Sequence, residues 1–262
     1  MRLINVEDYS MGEFIGRNVP DYTILSHTWG KEEVSFQDIQ NLEAAKQKEG
    51  FKKIAFCCEQ ARGDRLKWAW VDTCCVDKTS SAELSEAINS MFQWYSRAMV
   101  SYAYLSDVFI SYNYTLLAFD FDPIPRSRWF TRGWTLQELI APLSVEFFSS
   151  DWSHIGSKKQ LAQFISDITG VPEKILDHST PILEETVYQW MHWASRRETT
   201  REEDMAYCLL GLFDINLPLL YGEGKKAFYR LQEEIIKHLD DHHIHLGCLS
   251  CKRNTRITPA TC

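Results

Sequence analysis

"YTILS", residues 22–26, is a short, nearly continuous apolar run of strand length that leads into His27-Thr28-Trp29-Gly30. Three more runs of this kind follow: "WAWVD" (68–72), "VSYAYLS" (100–106) and "SVEFF" (144–148). Helical patterns lie between them. Residues 42–62 place Phe51, Ile54, Ala55 and Cys58 on one face, with Gly63 as the stop. Ser80 and Glu83 form a capping-box pattern ahead of Leu84, Ala87, Ile88, Met91 and Tyr95 at helical spacing. Thr135 to Ala141 reads as a short helix closed by Pro142, and Ser157 and Gln160 cap another. The alternation predicts an α/β fold in which a parallel sheet of four or five strands, over residues 20–170, is covered by helices on both faces. Residues 1–19 are an N-terminal segment ahead of it.

Beyond residue 171 no run reads as a strand. Thr200 and Glu203 cap a helix carrying Met205, Leu209 and Leu212, "PLLYGEG" (218–224) is a turn, and Phe228, Leu231 and Ile235 stripe a last helix. Residues 171–240 are therefore expected to form a helical subdomain packed on the sheet. The tail, 241–262, has no apolar period and is expected to be poorly ordered.

The chain has 262 residues, 45% hydrophobic and 24% charged, which is enough for a sizeable core. A net charge of −8 argues against nonspecific nucleic-acid binding, which needs a basic patch. No apolar stretch is long enough for a membrane span or a signal peptide. Eight cysteines without a secretion signal read as reduced thiols, so a cytoplasmic location is expected. The cluster His242, His243, His245, Cys248 and Cys251 contains suitable zinc ligands, but one Cys-x-x-Cys in a terminal segment is a weak signal, and no metal is expected.

In open parallel sheets ligands bind beyond the carboxyl ends of the strands. Here those ends offer Ser26, His27 and Trp29, then Asp72, Thr73, Cys74 and Cys75, then Ser106 and Asp107. A helix that follows a strand starts at the same edge, which brings in Arg128, Trp129, Arg132, Trp134 and Glu138. A pocket is predicted there. Neither G-x-G-x-x-G nor a P-loop is present, and "YGEGKKAF" (221–228) lacks the spacing of one.

"YTILSHTWG", "WAWVDTCCVDK", "RWFTRGWTLQELIAP" and "TTREEDMAYCLLGLFDINLPLLYGEGKKAFYRLQEEI" occur in that order. Together they resemble the fungal heterokaryon-incompatibility domain family, which is associated with self/non-self recognition and programmed cell death. That family in turn resembles TIR domains, which have a flavodoxin-like parallel sheet and in some cases cleave NAD with one glutamate in a W-C-x-x-E-L pattern. Trp134 to Leu139 is similar, with Thr135 in place of Cys and Arg132-Gly133 departing upstream. The resemblance places Glu138 at the catalytic position and implies NAD as a substrate, with no cofactor required. A carboxylate there stabilises the oxocarbenium character that builds on the ribose. Trp29 or Trp129 can stack on a flat ring, and Arg128 or Arg132 can hold a pyrophosphate.

Each residue also has a plainer reading. Thr135-x-x-Glu138 is a capping box, His27 can donate to a neighbouring group, Asp72 can cap or orient His27, and the tryptophans can be core. Three functions follow. The first is a cell-death effector that hydrolyses NAD at Glu138 and is activated by self-association, with any sensor a separate partner protein. The second is a non-enzymatic module binding a protein through the same face. The third is a thiol hydrolase using Cys75 and His27.

Overall fold

The computed structural model describes residues 1–110, 112–113, 118–119 and 121–245. Its strands are β1 (Arg2–Asn5), β2 (Met11–Glu13), β3 (Thr23–His27), β4 (Trp68–Trp70), β5 (Val100–Tyr104), β6 (Tyr112–Asn113), β7 (Ala118–Phe119), β8 (Val145–Phe148) and β9 (His154–Ser157). The helices are α1 (Phe36–Ile39), α2 (Leu42–Ala45), α3 (Phe51–Gly63), α4 (Ser81–Arg97), α5 (Arg128–Thr131), α6 (Thr135–Ile140), α7 (Ala162–Thr169), α8 (Glu173–Leu176), α9 (Val187–Ala194), α10 (Asp204–Tyr207) and α11 (Lys226–His245).

Seven strands form one sheet in the order β2-β1-β4-β3-β5-β8-β9. The four predicted strands are its centre and run parallel. Their apolar runs are continuous because both faces are covered, and every residue of β3 is buried. In chain order the central strands lie second, first, third, fourth, the flavodoxin-like arrangement. The sheet is wider than expected. β1, β2 and β9 pair antiparallel at its edges and lie outside the prediction, since none of them carries a continuous apolar run. The N-terminal segment is therefore part of the sheet.

Successive residues of a strand face opposite sides. Tyr102 and Phe148 enter one apolar cluster, with Leu25 and the α3 residues Ile54 and Cys58. Ala103 and Phe147 enter the other, with Trp129, Leu136 and Leu139 and with Trp190, Leu209 and Leu231 from the last third of the chain.

The predicted helix over residues 42–62 is two helices. Between α2 and α3, the Gly50 amide donates to the Glu32 carbonyl at 2.9 Å, and a β-carbon on Gly50 would lie 2.6 Å from that oxygen. The close backbone approach breaks the helix. α4 begins as expected, with the Ser80 hydroxyl accepting from the Glu83 amide at 3.3 Å, but the Glu83 carboxylate turns away to Arg2 and the Asp77 amide. Ser157 and Gln160 make both capping-box bonds, with α7 proper starting at Ala162. Thr200 and Glu203 do not cap α10. Thr200 accepts from Arg132, and Glu203 accepts from the amides of Gly222 and Gly224. α10 is a single turn, so Leu209 and Leu212 are buried on turns after it. α11 continues to His245, past the predicted end, while residues 246–262, with Cys248 and Cys251, lie outside the described residues.

Candidate functional site

A cleft of about 340 Å³ opens beyond the carboxyl ends of β3 and β4. His27, Thr28 and Trp29 enter it after β3, and Asp72 and Lys78 after β4. Arg132, Trp134, Thr135 and Glu138 come from the start of α6. Leu84, Ala87, Ile88 and Met91 of α4 form an apolar wall, and Thr200, Arg201, Asp204 and Tyr221 close the far side.

Glu138 is on a helix buried along its whole length. The predicted capping box is absent. The Thr135 hydroxyl instead donates to the Trp129 carbonyl, with the Arg132 carbonyl also in reach at 2.9 Å, and accepts from the Arg197 guanidinium at 2.8 Å. Glu138 is thereby released from the cap and turns to β3, where the Ser26 hydroxyl donates to its Oε2 at 2.5 Å. Burial pushes the Glu138 carboxyl up to about 8; the Ser26 bond opposes this, the Asp72 charge adds to it, and Tyr95 and Arg197 pull down. Gly133 has its own reason. Its amide donates to the Glu198 carbonyl at 2.9 Å, and a β-carbon would meet Thr199 at 2.5 Å. The departures from the TIR-like pattern thus correspond to the seam where residues 197–199 pack against the start of α6.

Adjacent residues of β3 serve opposite sides of the sheet. Ser26 points to α5 and α6, its hydroxyl also accepting from Trp129 Nε1 at 2.8 Å. His27 reaches Asp72 Oδ1 through Nε2 at 3.1 Å, and Lys53 on α3 through Nδ1 at 3.2 Å. The Lys53 ammonium can only donate, so Nδ1 accepts and Nε2–H donates to Asp72. Asp72 accepts a second bond from Trp29 Nε1 at 2.8 Å. Burial raises its pKa, but the Lys78 charge and the bonds from His27 and Trp29 outweigh this and hold it below the ordinary carboxylate range.

Of the residues predicted for the site, the structure brings His27, Trp29, Asp72, Arg132, Trp134 and Glu138 to the cleft. Ser26 lies behind it, as the support of Glu138. Trp129 is core, 1% exposed and packed edge-on against Phe130 and Phe147, so its ring faces are closed to a ligand. Arg128 points away from the cleft to Asp107, and its side chain is largely exposed. A thiol nucleophile is not assembled, because Cys75 Sγ accepts from the Val71 amide at 3.3 Å and both His27 nitrogens are engaged elsewhere. Among the described residues no cluster of three His, Cys, Asp or Glu side chains could hold a metal, and no helix is long and apolar enough to cross a membrane.

The sequence reading missed Lys78, Arg201, Asp204 and Tyr221. The Tyr221 hydroxyl donates to Asp204 at 3.0 Å, and the Arg201 guanidinium lies 4.6 Å from the Tyr221 ring centre. Burial raises the Asp204 pKa against the hydrogen bonds from Tyr221 and Trp134. The turn pattern around Tyr221 carries no sign that its side chain reaches the cleft.

The family model described as "Heterokaryon incompatibility protein (HET)" matches residues 22–113. The vegetative incompatibility protein HET-E-1 of Podospora anserina is 50% identical over 245 residues, which cover 90% of this chain and 17% of that protein. The chain therefore spans less than a fifth of the length of this relative. No solved structure matches. With its motifs folded around one cleft and these two similarities, the chain belongs to the heterokaryon incompatibility (HET) family.

Proposed function

We propose that this incompatibility protein is a cell-death effector whose cleft hydrolyses the nicotinamide–ribose bond of NAD, with Glu138 as the catalytic carboxylate. The observation that carries this reading is the Glu138 side chain itself: buried at the cleft, free of its helix cap and held by Ser26. Water supplies an oxygen to the anomeric carbon, the electron pair of the breaking bond goes to the ring nitrogen, and one proton is released. Nicotinamide leaves as a neutral base, so no general acid is required. Positive charge builds on the ribose in the transition state, and a carboxylate in a water-poor cleft stabilises it. A pyridinium substrate brings its own positive charge, which favours the ionised form of a carboxyl that burial otherwise keeps protonated. In this reading Arg132, which lines the cleft, holds the pyrophosphate, and Arg201 also lines the cleft. NAD is then the substrate, and no cofactor is needed. Activation by self-association or by a separate sensor protein completes the proposal.

One observation favours a second reading, a non-enzymatic module that binds a protein partner. It would bind through the same face, where Trp29 at the cleft is 52% exposed.

The test is NAD consumption by the purified protein at high concentration with a crowding agent, beside Glu138→Gln. Nicotinamide release by the parent and not by the variant supports the enzyme. No release by either, while both still kill cells on overexpression, rejects it in favour of the binding module.

A further inference from the structure

Lys78 takes no part in the proposed hydrolysis, yet its head occupies a particular place in the cleft. Its ammonium lies 3.5 Å from the ring centre of Trp29 and 3.6 Å from Asp72 Oδ2. Trp29 is 52% exposed, and its indole is fixed by the hydrogen bond from Nε1 to the same carboxylate. One side of the ammonium therefore meets an aromatic face and another meets a carboxylate. Both favour positive charge, the first through the ring quadrupole and the second through direct attraction.

We propose that the face of Trp29 within the cleft is a subsite for a cationic aromatic ring, that Lys78 is the resident cation which such a ring displaces, and that the cleft thereby selects the oxidised pyridinium over uncharged rings. The identity of that ring as nicotinamide rests on the proposed function; the preference for a flat cation does not. A planar pyridinium covers more of an indole face than an ammonium does, and it restores the charge facing Asp72 that the lysine removes when it leaves.

The hold on Lys78 is of a kind that can be released. Its separation from Asp72 is longer than the roughly 2.7–2.9 Å of a well-formed charge-assisted hydrogen bond. Its side chain is 33% exposed, so a rotation of its flexible stem carries the head into water. Asp72 stays in place meanwhile, because His27 and Trp29 still donate to it.

The exchange has a direction once the bond breaks. Cleavage converts the pyridinium into neutral nicotinamide, which has lost its attraction to Asp72 and most of its attraction to the indole. Lys78 then competes against an uncharged ring and returns. The lysine weakens substrate binding and helps to expel the product.

The experiment is calorimetric binding of two probes, nicotinamide itself and the cation made by methylating its ring nitrogen. Neither has a ribose bond to break. The proteins are the parent, Lys78→Met and Trp29→Leu, each checked for an unchanged far-ultraviolet spectrum. The parent is expected to prefer the cation. Lys78→Met should tighten the cation by about tenfold, the scale of a desolvated cation–π contact, and should tighten neutral nicotinamide too, since either ring must displace the lysine. Trp29→Leu should weaken the cation selectively. No tightening of the cation by Lys78→Met would show that the lysine is no competitor, and equal weakening of both probes by Trp29→Leu would show that the indole does not select charge; either overturns the inference. Preference for the cation in a protein that never releases nicotinamide from NAD would keep the subsite and remove the hydrolase reading. Hydrolysis of NAD without that preference would do the reverse.

Discussion

Replacing Glu138 by Gln should make the protein more stable in alkaline solution while abolishing the proposed activity. The carboxyl has an ordinary value of 4.5, and burial lifts it to about 8 in the folded chain. A group raised on folding contributes stability that is complete below its unfolded value and is lost as pH rises through its folded value. At about 1.4 kcal/mol per pH unit, the whole loss is roughly 5 kcal/mol, and between pH 6 and 9 it is roughly 2–3 kcal/mol. Gln cannot ionise and can still accept from Ser26, so the variant lacks this slope. Urea unfolding of both proteins at pH 6, 7.5 and 9 measures it. The difference between the two proteins is the quantity to read, because Lys158, which burial pushes down to about 7, gives both the opposite trend. The variant should gain on the parent by roughly 2–3 kcal/mol across that range. Parallel stability curves would mean that Glu138 titrates as an exposed carboxylate, and the account of its buried environment would fall. In the parent, kcat/KM for NAD should rise with pH and level off above about 8, since the ionised form does the work.

Arg197→Met leaves the Arg132 carbonyl and the Thr135 hydroxyl without their buried donor and removes a charge that lowers the Glu138 pKa. It should cost roughly 2–4 kcal/mol in urea unfolding and move the rise in kcat/KM to higher pH. Gly50→Ala should cost roughly 1–3 kcal/mol, because its β-carbon meets the Glu32 carbonyl; an unchanged melting temperature would contradict the close approach seen there. Trp152 stacks between Phe56 and Tyr104, with ring centres at 3.8 and 3.7 Å, and has a φ of 64°. Removing its ring should destabilise the fold by roughly 2–4 kcal/mol, with Trp152→Gly about 1 kcal/mol less harmful than Trp152→Ala, since glycine alone is unstrained in the left-handed region.

The centre of the fold could be read from the sequence because burial on two faces writes itself as a continuous apolar run, as in "YTILS" and "SVEFF". The edges could not. "MGE" of β2 and "HIGS" of β9 carry no period, and their pairing is set by the neighbouring strand. Local patterns failed where a distant group competed for the same atoms. Thr135 and Glu138 have capping-box spacing, but Arg197 and Ser26, each far along the chain, claim their oxygens. Arg128 and Arg132 looked equivalent on paper. The helical turn between them sends one to Asp107 and the other to Thr200 and the cleft. Lys78 lies on the loop after β4, and no periodicity shows that a loop lysine folds back over Trp29.

The division of labour within β3 bears on how such a chain can change. Ser26 and His27 differ by one position and serve opposite sides of the sheet. Losing one residue from this strand would exchange their directions, taking the hydroxyl from Glu138 and the imidazole from Asp72 in a single event. Length variants of the protein should therefore be recoverable in an exposed connection such as residues 15–18 and vanish across residues 23–27. A library of single-codon deletions, sorted for folded protein, would find β3 to be a ruler whose divisions cannot be moved.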